Sequence, residues 1–145
     1  MMCIINGMKK VLCVLMINRA LHTLRLKKEN LIPLTPYRFV ILHHQSPSGE
    51  HWDVMLETAT ALTTWSIPPQ CLSGSSFSCP AVPLPAHRKH YLDYEGEVTG
   101  NRGTVIRVDT GVYEQLSPET FILHGSIFTG QLALDKDTMT FVEAV

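Results

Sequence analysis

From Tyr37 onward, the sequence consists of short apolar or alternating runs that turn residues interrupt at close intervals. Gly, Pro, Ser and Asn separate these runs, and the spacing of an amphipathic helix is missing from them. Short runs with this punctuation are typical of an all-β sandwich or barrel. A chain of 145 residues with 45% hydrophobic content is long enough for one domain with a buried core. The sequence therefore predicts a compact, single-domain β-barrel over residues 36–145, preceded by a short N-terminal extension over residues 1–35.

Eight strands are predicted within this domain. They lie near Tyr37–His44, His51–Glu57, Ala61–Ile67, Tyr91–Val98, Thr104–Asp109, Thr120–His124, Ser126–Leu134 and Thr138–Val142. The segment Pro68–His87 is rich in Pro and Ser, and we expect it to form a long irregular connection. Long loops in small domains often carry functional residues.

Composition limits the partners of the chain. The formal net charge is −1 and the sequence pI is about 6.6, so the chain lacks the broad basic field that attracts nucleic acid regardless of sequence. Any polyanion must therefore be bound locally. The four cysteines, Cys3, Cys13, Cys71 and Cys79, show neither a CxxC pair nor zinc-finger spacing, which favours free thiols in a reducing compartment.

The N-terminal segment resembles a signal peptide only weakly. Two lysines precede the apolar run Val11–Ile17, but Asn18 and Arg19 follow where a cleavage site needs small residues. The run is also far too short to span a membrane. We expect a cytoplasmic protein without a membrane partner. A targeting signal, a short helix, a strand, or an extension translated upstream of a true start at Met8 or Met16 all stay open for this segment.

The chemistry of the sequence concentrates in one hairpin, HHQSPSGEHWDVMLE, over residues 43–57. Because side chains alternate along a strand, Trp52, Val54 and Leu56 share the apolar face, and His51, Asp53, Met55 and Glu57 share the other. Neutral imidazole and ionised carboxylate both donate lone pairs, so this pair suits a divalent metal ion.

The strand before the turn adds a third candidate ligand. His43 and His44 point to opposite faces, so only one of them can lie near His51. An isolated HxD pair is more often a surface feature than a ligand set. The additional histidine therefore strengthens the metal hypothesis without deciding it.

A resemblance to a known family extends well beyond this hairpin, from about Arg38 to Leu134. It covers RFVILHHQSPSGEHWDVMLE, LTTWSIP, HRKHYLDYEGEVTGNRGTVIRVDTGVYE and FILHGSIFTGQLAL. These stretches resemble the 3′-phosphoesterase domain of bacterial DNA ligase D, the end-healing module of bacterial non-homologous end joining. The LDYEG and GTVIRVDTGVYE segments carry more of this specificity than the histidines do.

The resemblance implies a set of site residues. In that family an H…HxD hairpin binds manganese and an HxxxY motif contacts the scissile phosphate. The matching metal ligands are His44, His51 and Asp53, and the matching phosphate contacts are His87 and Tyr91. Two residues of the family's opening strand, Phe39 and Val40, fix the register that selects His44 over His43.

The resemblance also implies an activity, a cofactor and partners. The expected enzyme is a manganese-dependent 3′-phosphoesterase, with zinc or another transition metal as the alternative ion. Its expected substrates are DNA or RNA-containing 3′ ends that carry a 3′-phosphate or a 3′-ribonucleotide, and its expected partner is a separately encoded ligase or polymerase. Arg88 and Arg102 are candidate substrate-binding residues, as is Lys89.

The chain departs from the family at several positions. Met55 stands where the family has an arginine that supports phosphate binding, and Pro69 stands where it has a lysine. The N-terminal stretch LRLKKENLIPLTP offers no clear counterpart of the family's N-terminal site residues. Because these losses affect phosphate contacts and not the metal ligands, the sequence supports metal binding better than full phosphoesterase activity.

Two other functions stay open on the sequence. One is a nucleic-acid end-binding module that has lost catalysis. The other is a cupin-like non-haem iron enzyme, whose facial triad would use His51, Asp53 and either His87 or His124 and would not need His44. Otherwise we expect His90 and His124 to be structural or surface residues.

Overall fold

The computed structural model describes residues 36–69 and 75–145, together with Ile4–Ile5 and Gly7–Met8. Pro36–Val145 forms a compact unit. The predictions for the apolar run Val11–Ile17 and for Cys71 lie outside the described residues. Cys79 lies in the buried core.

The described residues form twelve strands and one short 3₁₀ helix, over Lys89–Leu92. The strands are β1 (Ile4–Ile5), β2 (Gly7–Met8), β3 (Arg38–Ser46), β4 (Gly49–Glu57), β5 (Leu62–Ile67), β6 (Phe77–Pro80), β7 (Val82–His87), β8 (Gly96–Glu97), β9 (Thr104–Ser117), β10 (Thr120–Gly125), β11 (Thr129–Asp135) and β12 (Thr138–Glu143). The all-β prediction is therefore confirmed. In this part of the chain, no helix has the length and apolar character needed to cross a membrane.

Strands β3 to β12 form one ten-stranded sheet in which neighbours pair antiparallel, and β1 and β2 pair with each other. The order across the sheet is β6-β12-β11-β10-β9-β3-β4-β5-β7, with β8 paired to β9. The predicted barrel is not closed by hydrogen bonds, since no ladder in the described ranges joins β6 to β7. Ala81 is the single residue between the end of β6 and the start of β7, and consecutive Cα atoms are about 3.8 Å apart. The sheet must therefore curl until its edges meet at this residue.

The central strands β3 and β4 are buried on both faces. Phe39, Ile41, Val54 and Leu56 belong to the larger core, which the strands from β9 to β12 complete. A smaller core covers the opposite face, where Val40, Leu42 and Met55 pack against Leu62, Tyr91, Leu92, Val98 and Val105. The sequence predicted only the first of these two apolar faces. The second forms because the 3₁₀ helix and the segment after it pack over β3 and β4.

Two strand predictions are corrected by the structure. The segment Pro68–His87 is not irregular throughout, because β6 and β7 lie within it. Both are edge strands, where a missing backbone N–H costs no central ladder bond and proline is tolerated. Conversely, the predicted strand Tyr91–Val98 is mostly the end of the 3₁₀ helix and a loop, and only Gly96–Glu97 is extended.

Strand β9 is also longer than predicted, since it continues through Gly111 to Ser117. The predicted strand ends at Asp109, before Gly111. In the structure this glycine instead allows a close approach of two strands. A Cβ atom at this position would lie 2.1 Å from the carbonyl oxygen of His124 on β10. Glycine in a strand often marks such an approach of neighbouring backbone.

Candidate metal centre and active site

The hairpin of β3 and β4 brings two imidazoles and one carboxylate together on a single face. His44 lies directly opposite His51 in the antiparallel ladder, and Asp53 follows two residues later on the same face. The ring centroids of His44 and His51 are 4.8 Å apart. One ligand atom from each of the three side chains lies within 4.8 Å of the others. Strand register therefore produces a compact cluster with two nitrogen donors and one oxygen donor.

The carboxylate of Asp53 is deeply buried at this position. Its side chain is 3% exposed, whereas those of His44 and His51 are 18% and 32% exposed. Oδ1 of Asp53 lies 3.1 Å from Nε2 of His51, and Oδ2 lies 3.6 Å from Nδ1 of His44. Oδ1 nevertheless accepts no well-formed hydrogen bond from the described residues. Burial raises the pKa of Asp53 above its ordinary value, while the imidazoles of His51, His44 and His87 oppose this rise.

These observations fit a divalent transition-metal ion. Burying an ionised carboxylate oxygen that accepts no well-formed hydrogen bond costs free energy of folding, because the group has lost its hydration. An ion held by two imidazole nitrogens and a carboxylate oxygen would offset that cost, and such a mixed donor set suits manganese, iron or zinc. The donor set does not distinguish among these metals.

A cavity of about 370 Å³ opens over the cluster. Its lining consists of His44, Asp53, Met55, Pro85, Ala86, His87, Arg88, Tyr91, Val98, Arg102 and Val105. Apolar side chains of the smaller core form part of this lining, and the polar groups come from β3, β4, the end of β7, the 3₁₀ helix with the residue before it, and the turn before β9. A second depression of about 460 Å³, which Ser46, Ser48 and Asn101 help to line, adjoins it at His44 and Arg102.

His87 and Tyr91, the residues that the resemblance assigns to phosphate contact, both line the 370 Å³ cavity. The Nδ1 atom of His87 lies 2.9 Å from the carbonyl oxygen of Pro85, and only an N–H donor can bond to a carbonyl. Nε2 is therefore the imidazole nitrogen of His87 that is left for the cavity. Tyr91 is 9% exposed, and its ring contacts that of His87 edge-on at a centroid distance of 5.8 Å.

The three candidate cations occupy different positions. Arg88 and Arg102 are exposed and line the cavity, and Nε of Arg102 donates a hydrogen bond of 2.7 Å to the carbonyl oxygen of Thr99. Lys89 instead lies 3.3 Å from the carboxylate of Glu57 and does not line the cavity. Lys89 is therefore the weakest of the three substrate-binding candidates.

The other histidines of the described ranges, His43, His90 and His124, lie outside both the cluster and the cavity lining. Nε2 of His43 is 2.7 Å from Glu50, and its ring packs near Trp52 on the opposite face of the sheet. Nε2 of His124 is 2.7 Å from Glu114, an exposed pair on β9 and β10. His90 is exposed and stacks on the ring of Tyr91.

Sequence reasoning missed two groups of the site because both are main-chain atoms. The carbonyl oxygens of Pro85 and Arg102 bind the imidazoles of His87 and His44. A main-chain carbonyl carries no residue-specific signal. Gly100, Asn101 and Gly103, which have φ values of +82°, +56° and +92°, are the hints in the sequence that this turn has an unusual backbone.

The fold and the site together define an all-β protein with a His–His–Asp cluster beneath a polar cavity, the arrangement of a candidate metallohydrolase. Residues 42–141 match the family described as the DNA ligase D 3′-phosphoesterase domain. The chain therefore belongs to this family, and its membership supports a phosphoesterase, a hydrolase, of the ligase D type. A search of curated proteins gave no match.

Proposed function

We propose that this protein is a manganese-dependent 3′-phosphoesterase that removes 3′-phosphate or 3′-ribonucleotide blocks from DNA or RNA-containing ends. The observation that carries the proposal is the position of the His44–His51–Asp53 cluster, which borders the cavity of His87 and Tyr91 through His44 and Asp53. A cluster without further polar side chains beside it would favour a purely structural metal site. A cluster beside additional polar groups favours one that works on a substrate.

His44, His51 and Asp53 would hold the ion, with zinc or another transition metal as the alternative to manganese. When bound, the ion supplies charge neutralisation for the phosphate oxygens and activates water. Three protein ligands leave coordination positions open, as catalytic metal sites require. The two imidazoles and the carboxylate keep their relative positions because they stand on paired central strands.

His87 would act on the phosphate and not on the ion. Its Nδ1–H is occupied by the carbonyl of Pro85, so a neutral His87 presents a lone pair at Nε2. It therefore donates a hydrogen bond or a proton to a phosphate oxygen only as the imidazolium ion. In hydrolysis water forms the new P–O bond, the bond to the 3′ oxygen breaks, and that oxygen takes up a proton. An imidazolium at His87 is suited to supply it.

Tyr91, Arg88 and Arg102 would complete phosphate recognition. Tyr91 contributes a hydroxyl group, and the two guanidinium groups contribute positive charge that replaces part of what the chain loses at Met55 and Pro69. We further propose that residues 36–145 form the phosphoesterase-like domain, and that the protein works in the cytoplasm beside a separately encoded ligase or polymerase.

The position of Met55 supports a second candidate, a nucleic-acid end-binding module without catalysis. Met55 is 1% exposed and lines the cavity, so an apolar side chain stands where the family places an arginine. The cupin-like iron enzyme is less well supported. The compact donor group contains His44 instead of His87, and His124 is paired with Glu114 on another part of the sheet.

One set of variants tests these functions, with phosphate release from a primer-template that bears a 3′-phosphate as the assay. We expect His87→Ala to keep near-wild-type metal affinity but to slow phosphate release by about two to four orders of magnitude. His51→Ala should lose metal and activity together. His124→Ala, an imidazole substitution away from the cavity, is the matched control and should keep both.

Each contrary result identifies an alternative. Metal binding by the wild-type protein without phosphate release would favour the end-binding module. Loss of metal from His87→Ala would favour a triad that includes His87. Unchanged metal affinity with unchanged turnover in His87→Ala would exclude the catalytic role proposed for this histidine.

A further inference from the structure

We infer that the main-chain carbonyl of Arg102 fixes the tautomer of His44, so that His44 binds the metal ion through Nδ1 while His51 binds it through Nε2. The turn over residues 98–103 is then a positioning element of the metal centre. This inference rests on the proposed metal site, but its first part, the tautomer, is a property of the protein without metal.

The hydrogen bond at His44 assigns the proton. Nε2 of His44 lies 2.7 Å from the carbonyl oxygen of Arg102. A carbonyl oxygen only accepts, so Nε2 must carry the hydrogen. In neutral His44 the lone pair is consequently at Nδ1, and Nδ1 is the nitrogen that faces Asp53, 3.6 Å from Oδ2.

His51 presents the opposite nitrogen to the same carboxylate. Its Nε2 atom lies 3.1 Å from Oδ1 of Asp53. His44 and His51 are cross-strand partners whose rings are inclined by 59°, and they lie near different oxygens of Asp53. The three donors are therefore Nδ1 of His44, Nε2 of His51 and an oxygen of Asp53.

The turn that supplies the carbonyl is closely fitted against β3. Gly103 has a φ of +92°, and a Cβ atom there would lie 1.8 Å from the carbonyl oxygen of Gln45, the residue after His44. The N–H of Val98 donates to the carbonyl of Gly103 at 2.8 Å, which closes the turn. Only glycine combines this backbone conformation with this approach. The carbonyl of Arg102 is thereby held next to His44.

A partner of this kind is what metal-binding histidines generally have. Such a histidine usually donates its second ring N–H to a carboxylate, a carbonyl or water, which fixes its tautomer and orientation. Arg102 would thus serve the site twice, through its carbonyl on His44 and through its side chain at the cavity. The two roles can be separated, since substitution of the side chain leaves the carbonyl in place.

The first experiment measures the tautomers in the complete, metal-free protein. Long-range ¹H–¹⁵N correlation spectra of ¹⁵N-histidine-labelled protein, assigned with His44→Gln, should show a protonated Nε2 and an unprotonated Nδ1 at His44 in neutral imidazole. Titration with diamagnetic zinc should then shift Nδ1 of His44 and Nε2 of His51. A protonated Nδ1 in neutral His44, or a zinc shift at its Nε2, would overturn the inference.

The same titration separates failure of the inference from failure of the proposed function. If no histidine responds to zinc, the proposed metal site is wrong, and the metal-binding part of the inference falls with it. If Nε2 of His51 responds to zinc but Nδ1 of His44 does not, the metal site stands and the inference alone is refuted.

A second experiment perturbs the turn. Gly103→Ala should displace the carbonyl of Arg102 and weaken zinc affinity by about 10- to 100-fold, the usual cost of losing such a partner. Gly130→Ala on β11 is the matched control, because its Cβ would lie 2.2 Å from the carbonyl oxygen of Val142, three strands away from β3. Arg102→Ala should keep both zinc affinity and the tautomer of His44.

The zinc affinities of Gly103→Ala and Gly130→Ala, each relative to the wild-type protein, decide the outcome. A folded Gly103→Ala protein with the wild-type tautomer and wild-type zinc affinity would show that the turn does not position His44. Equal losses in Gly103→Ala and Gly130→Ala would attribute the effect to general destabilisation, and would also contradict the inference. If Gly103→Ala does not fold, the tautomer and zinc shifts of the wild-type protein decide alone.

Discussion

Asp53→Asn should make the metal-free protein more stable and abolish its stabilisation by metal. The carboxylate is buried, Oδ1 accepts no well-formed hydrogen bond, and burial raises its pKa, so the ionised form carries a net cost in the fold. An unsatisfied buried polar group costs about 1–3 kcal/mol. Removing the charge should therefore raise the melting temperature in chelator by about 3 °C or more, since 1 kcal/mol corresponds to roughly 3–4 °C for a chain of this length.

Calorimetry in chelator and in metal provides the assay, at a pH above about 8 where an ordinary imidazole is neutral. Wild-type protein at a metal concentration 100 times its Kd gains about 2.7 kcal/mol, whereas Asp53→Asn should gain nothing. The stability order of the two proteins should consequently reverse, or the difference between them should vanish, when metal replaces chelator.

Asp109 supplies a matched control, because it is a second buried carboxylate with the opposite surroundings. It accepts backbone N–H bonds of 2.7–3.0 Å from Ser126, Ile127 and Phe128. Asp109→Asn should therefore destabilise the protein by about 1.5–3 kcal/mol, the range for hydrogen bonds to a charged group. If Asp53→Asn lowers the melting temperature in chelator as Asp109→Asn does, the fold itself stabilises the Asp53 carboxylate and the reasoning is refuted.

Two further predictions concern other residues. His43→Ala should leave metal content unchanged, because His43 contacts Glu50 on the opposite face, whereas His51→Ala should abolish it; equal losses by metal analysis would contradict the assignment. Tyr113→Phe should destabilise the protein by about 0.5–1.5 kcal/mol near neutral pH, through loss of its hydrogen bond to the carbonyl of Glu57. Because burial raises the pKa of Tyr113, this phenol stabilises the fold fully below about pH 10 and progressively less as the pH rises through its folded value. Denaturant unfolding should thus show a difference between wild-type protein and Tyr113→Phe that shrinks at alkaline pH, and a constant or growing difference would contradict this.

The sequence predicted that His44, His51 and Asp53 share one face of the hairpin, because both determinants of this geometry are local. Alternation fixes which side chains share a face, and a short turn fixes that one of the paired histidines faces His51. The register of His44 opposite His51 then follows from the length of the hairpin, as the ladder shows. The choice between His43 and His44 came from the family resemblance and not from the periodicity.

The errors arose where structure depends on distant contacts. Proline suggested a loop at Pro83 and Pro85, but β7 lies at the edge of the sheet and tolerates both. The second apolar face was missed because Met55 shares its side of the strand with His51, Asp53 and Glu57, so this side has a polar pattern in the sequence. Its burial depends on Tyr91 and Leu92, which arrive from far along the chain. No local pattern specifies that packing.

The position of the cations has a measurable consequence. Met55 makes part of the cavity lining apolar, so under the proposed function the positive charge available to phosphate would come from Arg88 and Arg102 at the exposed rim. Charges at an exposed rim are screened by salt more strongly than buried ones. If each arginine contacts one phosphate of a single strand, affinity for a 3′-phosphorylated oligonucleotide should fall by about sevenfold between 50 and 200 mM salt.

Substitution at the rim should reduce that salt dependence. Arg88→Gln and Arg102→Gln should each lower the slope of log affinity against log salt by about 0.7, the value for one single-strand phosphate contact. Lys89→Gln is the control, because its ammonium group lies beside Glu57 and not at the cavity. A slope that neither arginine substitution changes would show that the rim does not bind phosphate. The proposed replacement of the family's cations would then be wrong, and the loss at Met55 would be uncompensated at the rim.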